Sequence, residues 1–315
     1  KDVIADGDIL RPDALQSALK SLLDGARPER FSNHAVVTLP EAKVYVHTFD
    51  FPVSLREKEV RNAIPYEAEG VIPVDLSTME TDLVFHRSQD QKTRHVFFAA
   101  VPRTLVAQYA SALRAVGVEP VAFDVESAAL ARSVAGPRAE PVVVADIGAR
   151  RTTLIVVEHE TVHGAVSISV GGDTVTDAIM RARNVSWETA ETEKETVGLS
   201  PGAEPPIRSV MEEALQPVVR GVVQLLRLHE SHTGRPVGAV ILAGGTALLK
   251  GLDRLVAEAT QRNVRVGDPF ATPDILFPPE LTTADVGWLE HGRIFFATSV
   301  GLGIRGARWD PPRRG

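Results

Sequence analysis

The 315-residue sequence contains no cysteine, which excludes disulfides, thiolate nucleophiles and Cys-based zinc sites and suits a reducing compartment. No window approaches the ~18 continuous apolar residues that a membrane-spanning helix needs. Charge is not skewed toward the basic: 34 Lys and Arg stand against 41 Asp and Glu, a net charge of −7. Non-specific nucleic-acid binding therefore has no electrostatic support. Fixed short repeats and low-complexity tracts are also absent, which argues against solenoids and disordered linkers. A P-loop is excluded, because Gly245 to Lys250 has the lysine spacing but lacks the preceding glycine. Gly301, Gly303 and Gly306 match Gly-x-Gly-x-x-Gly, yet no crossover helix or acidic partner follows, so no dinucleotide site is expected there. His159 and His163 lie four apart without a third ligand nearby and read as solvated strand ends rather than a metal site.

What is present is an ordinary globular composition, 44% hydrophobic and 24% charged, in a chain long enough for two or more lobes. Leu15, Ala18, Leu19, Leu22 and Leu23 recur at helical spacing behind Pro12. The β-branched and aromatic residues between Ala35 and Phe51 predict a strand pair broken at Pro40. Ser54 with Glu57 predicts a capped helix to Gly70 that Pro65 kinks or divides. Residues 79–87 and 94–101 read as strands and 104–116 as a helix. From Pro141 the pattern becomes three strands in quick succession, 142–147, 152–159 and 162–170, an antiparallel meander. Helices are expected over 173–183 and 186–196, then a long one to His232 that starts or bends at Pro217. A buried strand over 237–243, an amphipathic helix over 248–260 and a short strand over 264–267 follow.

The segment most informative about chemistry is VVVADIGARRTT, residues 142–153. A buried strand delivers Asp146 to its carboxyl end, and Gly148 and Ala149 leave the next turn without bulky side chains, so backbone N–H groups can approach phosphate oxygens. Thr152 adds a hydroxyl. Asp146, an anion like phosphate, would act through a hydrated Mg2+. An ordinary hairpin turn accounts for the same residues about as well. Two further glycine corners shift that balance: Gly171 and Gly172 precede one helix, and Gly244, Gly245 and Thr246 precede another. Helix starts are natural neighbours of anions and ribose, and paired glycines allow close approach.

These residues resemble the actin-like ATPase superfamily: Asp146, Gly148 and Thr152 its second phosphate loop, Gly244 and Gly245 its adenosine loop, Ala297 to Gly303 the small-residue helix connecting its halves. Within it, DGDILRPDALQSALKSLL, AIPYEAEGVIPVDL, VEPVAFDVESAAL and VILAGGTALLKGL followed by DPF resemble the PilM family of type IV pilus assembly proteins in the same order. Glu67, Ala68 and Glu69 with Ile72 and Pro73 form the most family-specific piece. Ala190, Glu191 and Lys194 resemble an adenine-side helix motif, which places Glu191 and Lys194 beside the base or ribose.

The resemblance implies an α/β, two-lobed, actin-like (ribonuclease H-like) fold with an inserted small α+β subdomain. The first lobe would comprise 1–51 and 122–140, completed by 293–310; the inserted subdomain 52–121; and the second lobe 141–292, with a further insertion at about 184–235. An Asp-x-Gly hairpin carrying the first phosphate loop is expected upstream of Lys1. ATP and Mg2+ are the implied ligands, and Glu126 would orient the attacking water if hydrolysis occurs, although a helix-start carboxylate favoured by the dipole is an equally good account of it. Activity is left open, at most a slow ATPase, and so is self-association. The implied role is a cytoplasmic scaffold at the inner membrane that recruits a membrane-anchored, PilN-like partner through its N-terminal cytoplasmic peptide, in a groove involving the inserted subdomain. The alternative is a scaffold of a pilus or type II secretion platform that keeps the fold and binds no nucleotide.

Overall fold

The structure, a computed structural model, describes residues 3–5, 7–25, 32–87, 92–136, 138, 140–158, 160–200, 202, 204–271, 275 and 292–308. His159, one of the histidine pair considered above, lies outside the described residues. The chain divides into two compact units, Lys1–Ala129 with Arg305–Gly315, and Leu130–Ile304.

Unit 1 contains β1 (Ile4–Ala5), β2 (Asp8–Ile9), α1 (Pro12–Gly25), β3 (His34–Leu39), β4 (Tyr45–Pro52), α2 (Glu57–Glu69), β5 (Met79–Arg87), β6 (Thr93–Pro102), α3 (Arg103–Arg114) and β7 (Glu119–Val125). The helix α4 (Glu126–Val134) begins here and continues across the boundary. β4, β6 and β5 form an antiparallel sheet in that order, while β3 pairs in parallel with β7. α2 buries Val60, Ile64 and Ala68 against Phe49, Phe51, Val96 and Phe98 of the three-stranded sheet. That stripe at positions i, i+4 and i+8 makes α2 an amphipathic helix on a sheet face.

Three local expectations change. β3 and β4 are not partners, because a 3-10 turn over Glu41–Lys43 joins them instead of a tight hairpin turn, and each pairs elsewhere. The capping arrangement occurs two residues later than Ser54 and Glu57: Arg56 is the N-cap, and its backbone N–H donates to Glu59 Oε2 at 2.8 Å. Pro65 lies inside α2 without dividing it, on the exposed side, while the buried stripe continues through Ile64 and Ala68.

Unit 2 is built on a five-stranded sheet of order β10-β9-β8-β11-β12. Its elements are β8 (Val142–Ile147), β9 (Thr152–Glu158), β10 (Thr161–Ile168), α5 (Gly172–Arg183), α6 (Trp187–Val197), α7 (Pro205–Thr233), β11 (Ala239–Ala243), α8 (Leu252–Thr260), β12 (Asn263–Val266) and most of α9 (Ala297–Ala307). β8, β9 and β10 are antiparallel, as a meander should be, and β11 joins β8 in parallel with β12 outside it. The apolar run of β8 is explained by burial on both faces. Val143, Ala145 and Ile147 pack with Val175 and Ile179 of α5, with Met211, Leu215 and Val222 of α7 and with Val256 of α8. Val142 and Val144, facing the other way, are equally buried. Pro205 and Pro206 open α7, and Pro217 sits within one continuous helix. The expected helix at 248–260 starts later, since Gly245–Leu248 forms a 3-10 turn before α8.

Candidate functional site

Strand register brings the first two corners together. Asp146, next to last in β8, pairs with Ala243, the last residue of β11. The chain then turns at Gly244 with φ 76° and ψ 169°, a region that residues with a Cβ scarcely enter. A Cβ on Gly244 would lie 2.5 Å from Asp146 Oδ1 and 2.6 Å from the Ile147 carbonyl oxygen. Only glycine allows this approach. The third corner closes on the same hairpin: a Cβ on Gly171 would lie 2.5 Å from the carbonyl oxygens of both Gly148 and Ala149.

Hydrogen bonds fix the junction. The Gly172 N–H donates to Gly148 O at 2.9 Å and the Asp173 N–H to Ala149 O at 2.7 Å. Thr246 Oγ1 donates to the same Gly148 carbonyl at 3.2 Å. The N–H groups at the start of α5 are thus engaged by the 148–149 turn, so this helix start braces the turn from behind. Ala149 remains exposed at its tip, with Arg150 and Arg151. Thr152 is fully buried, and its hydroxyl donates to Val170 O at 2.8 Å. It ties β9 to the end of the meander and does not line the cavity described next.

That cavity, about 710 Å³, is lined by Ala149, Gly172, Asp173, Glu191, Lys194, Glu195, Gly245, Thr246, Leu248, Leu249 and Phe295. Its size and mixed lining suit a small organic ligand. α6 supplies the polar wall. Ser186 caps it, its hydroxyl accepting from the Thr189 N–H at 3.3 Å, and buried Ala190 anchors it. Lys194 is 8% exposed, and its Nζ donates to Glu191 Oε1 and Oε2, both at 2.7 Å, and to Thr176 Oγ1 at 2.9 Å. Thr176 in turn donates to Glu191. Burial pushes the Glu191 carboxyl upward, but hydrogen bonds from Lys194 and Thr176 outweigh it and hold the group below its ordinary value.

Asp146 stands half-buried at the strand end against Gly244; it is not among the residues that line the cavity, whose own carboxylates are Asp173, Glu191 and Glu195. Among the described residues no group of three or more His, Asp or Glu is arranged to bind a metal. A single carboxylate fits Mg2+, which keeps several waters and takes one or two protein carboxylates beside phosphate oxygens.

Glu126 belongs to unit 1, at the start of α4. Burial raises its carboxyl above the ordinary value, opposed by a hydrogen bond from the Glu41 backbone. Glu41 is raised for the same first reason, with the Glu126 charge adding to it and hydrogen bonds from Ser127 opposing it. Unit 1 also holds a groove of about 310 Å³ with an apolar floor including Leu39, Val44, Ala99, Val101, Val106 and Phe123, beside the carboxylates of Glu80, Asp82 and Asp124. Asp124 pairs with Arg305 at 2.6 Å.

Of the residues singled out in the sequence, Ala149, Gly172, Glu191, Lys194, Gly245 and Thr246 line the cavity, whereas Asp146, Gly148, Gly171 and Gly244 meet at the corners without lining it. Thr176, Leu248, Leu249 and Phe295 were not assigned to the site. Thr176 follows Gly172 by one helical turn, a spacing that could have flagged it, whereas Phe295 carries no local signal.

The 3-2-1-4-5 strand order in unit 2, with three glycine corners at one end of its strands, defines an α/β protein of the actin-like fold. The same fold is found in the solved structure of the PilM–PilN type IV pilus biogenesis complex, matched over 96% of this chain and 88% of that one at 24% identity with a TM-score of 0.77. It recurs in MreB5 of Spiroplasma citri bound to ADP (96% and 80% covered, 16% identity, TM-score 0.50) and in the MamK double helical filament (98% and 79%, 13%, 0.53). Residues 1–306 match the family of the type IV pilus assembly protein PilM, and the chain belongs to that family. No helix among the described residues is long and apolar enough to cross a membrane.

Proposed function

We propose that this protein is a cytoplasmic ATP-binding scaffold of the type IV pilus inner-membrane platform, and that it recruits a membrane-anchored, PilN-like partner by that partner's N-terminal cytoplasmic peptide. The observation that carries the nucleotide part is the meeting of three sequence-distant corners, at 146–149, 171–172 and 244–246, beside one cavity. Phosphates would lie toward the exposed Ala149 tip, with Mg2+ held by Asp146 through water. Glu191 and Thr246 would accept from or donate to ribose hydroxyls, with Lys194 keeping Glu191 ionised and oriented. Bound Mg2+ adds positive charge to a lining in which Asp173, Glu191 and Glu195 outnumber Lys194. The groove of unit 1, apolar with acidic neighbours, suits a peptide carrying apolar and cationic residues, as expected for the cytoplasmic flank of a membrane anchor.

A second reading has one observation in its favour: the Lys194 ammonium is already satisfied by Glu191 and Thr176, so the pocket wall is complete without a ligand. The protein would then be a scaffold that binds no nucleotide. Calorimetric titration of Mg-ATP separates the two. The first expects saturable one-site binding that Asp146→Asn weakens with Mg2+ present and leaves largely unchanged with EDTA. Absence of binding heat, alongside intact binding of the partner's N-terminal peptide, would establish the second.

A further inference from the structure

The nucleotide reading leaves one wall of the cavity without a task. Phe295 is 63% exposed, yet its ring lies against the adenosine-loop backbone: a Cβ on Gly245 would be 2.9 Å from the ring's Cε1. The turn that carries it, Arg293–Phe296, is pinned on both sides. Ile294 is buried, and Phe296 packs against Phe270 with ring centroids 6.4 Å apart. The Arg293 guanidinium lies 5.2 Å from the centre of the Phe270 ring and pairs with Asp268 at 3.1 Å. Phe295 is therefore an exposed aromatic on an anchored turn, and it shares the cavity lining with apolar Leu248 and Leu249 and with the Glu191–Lys194 pair. Burying such a ring against a flat π-system recovers the apolar area left in water, and base–aromatic stacking is among the stronger contacts a nucleotide site can make.

Resting on the nucleotide reading above, we propose that Phe295 stacks on the purine base and makes this a base-binding pocket as well as a triphosphate cradle. The base would lie between the ring and the Leu248–Leu249 turn, with its ribose toward Glu191. Binding of Mg-ATP and of Mg-tripolyphosphate, which has no base, is measured for the unaltered chain, Phe295→Ala and Phe295→Trp. The alanine variant is expected to bind ATP ~10-fold more weakly or worse, with its tripolyphosphate affinity unchanged. Phe295→Trp should restore ATP affinity, and ATP should quench the added indole fluorescence. Equal ATP affinity in the unaltered chain and Phe295→Ala overturns stacking while leaving the nucleotide site standing. Equal loss of ATP and tripolyphosphate overturns it too, because the residue would then act on the fold rather than on the base. If the unaltered chain does not bind ATP, the underlying reading fails and this proposal falls with it.

Discussion

Two glutamates near helix α6 and helix α4 show how differently the two units treat the same side chain. Glu191 in unit 2 has a buried lysine against both of its oxygens, so its carboxylate is stabilised despite partial burial. Glu41 in unit 1 is desolvated beside another carboxylate, Glu126, and has only Ser127 hydrogen bonds to offset that. The first setting fixes a charge in place. The second favours a proton. Unit 2 spends its polar groups on a rigid cavity wall, whereas unit 1 carries a pair of acids whose protonation the fold leaves responsive.

The sharpest way to break that contrast is at the corner on which the cavity wall depends. Gly244→Ala forces a side chain into a backbone region reserved for glycine and into Asp146 Oδ1 at 2.5 Å. It should cost about 3 kcal/mol or more in urea unfolding. Gly117 in unit 1 also has a positive φ of 81°, but nothing lies within 4 Å of its added Cβ, so Gly117→Ala should cost only about 1 kcal/mol. Equal losses would mean that backbone conformation, and not the meeting of the corners, is what demands glycine at 244.

Much of this is legible in the sequence alone, for identifiable reasons. The β8 run reads as a doubly buried strand because its packing demands apolar residues on both faces, and the paired glycines read as corners because close approach leaves no alternative residue. Asp146 is visible because it is the one charged residue in that strand, next to its carboxyl end. Register and long-range pairing were not legible: nothing local to residues 36–49 shows that β3 joins β7 while β4 joins β6. The engagement of Thr152 by Val170 O, which keeps its hydroxyl from the cavity, is likewise a tertiary event. Phe295 is not legible locally because an isolated exposed aromatic has no periodicity, and its place beside Gly245 is a contact between residues far apart in the chain.

A second break targets the fixed charge itself. Lys194→Met removes the cation from a site where its Nζ is 2.7 Å from both Glu191 oxygens, leaving a partly buried carboxylate with Thr176 alone. A loss of roughly 2 kcal/mol is expected, because an uncompensated charge costs more than the pair was worth. Adding Glu191→Gln to Lys194→Met should recover part of that loss, and the double-mutant cycle gives the coupling directly. Strict additivity would show that the two side chains are merely adjacent.

The smallest effects are those of pH, and the two glutamates should move in opposite directions. Glu41 is raised above 4.5 in the folded protein, so the native state holds its proton more tightly than the unfolded chain. Its contribution is fully present below 4.5 and is lost as pH rises through the folded value. Glu191 is lowered below 4.5; its contribution is present above that value and is lost as pH falls through the folded one. Glu41→Gln should therefore gain stability relative to the unaltered protein as pH rises from 4.5 through the raised folded value, whereas Glu191→Gln should lose relative stability as pH rises from the lowered folded value toward 4.5 and change little above it. Urea midpoints measured from about pH 3 to pH 7 test both. Parallel shifts in the two variants would contradict the contrast, since they would mean that neither the hydrogen bonds from Lys194 to Glu191 nor the burial of Glu41 sets the proton affinity of its carboxyl.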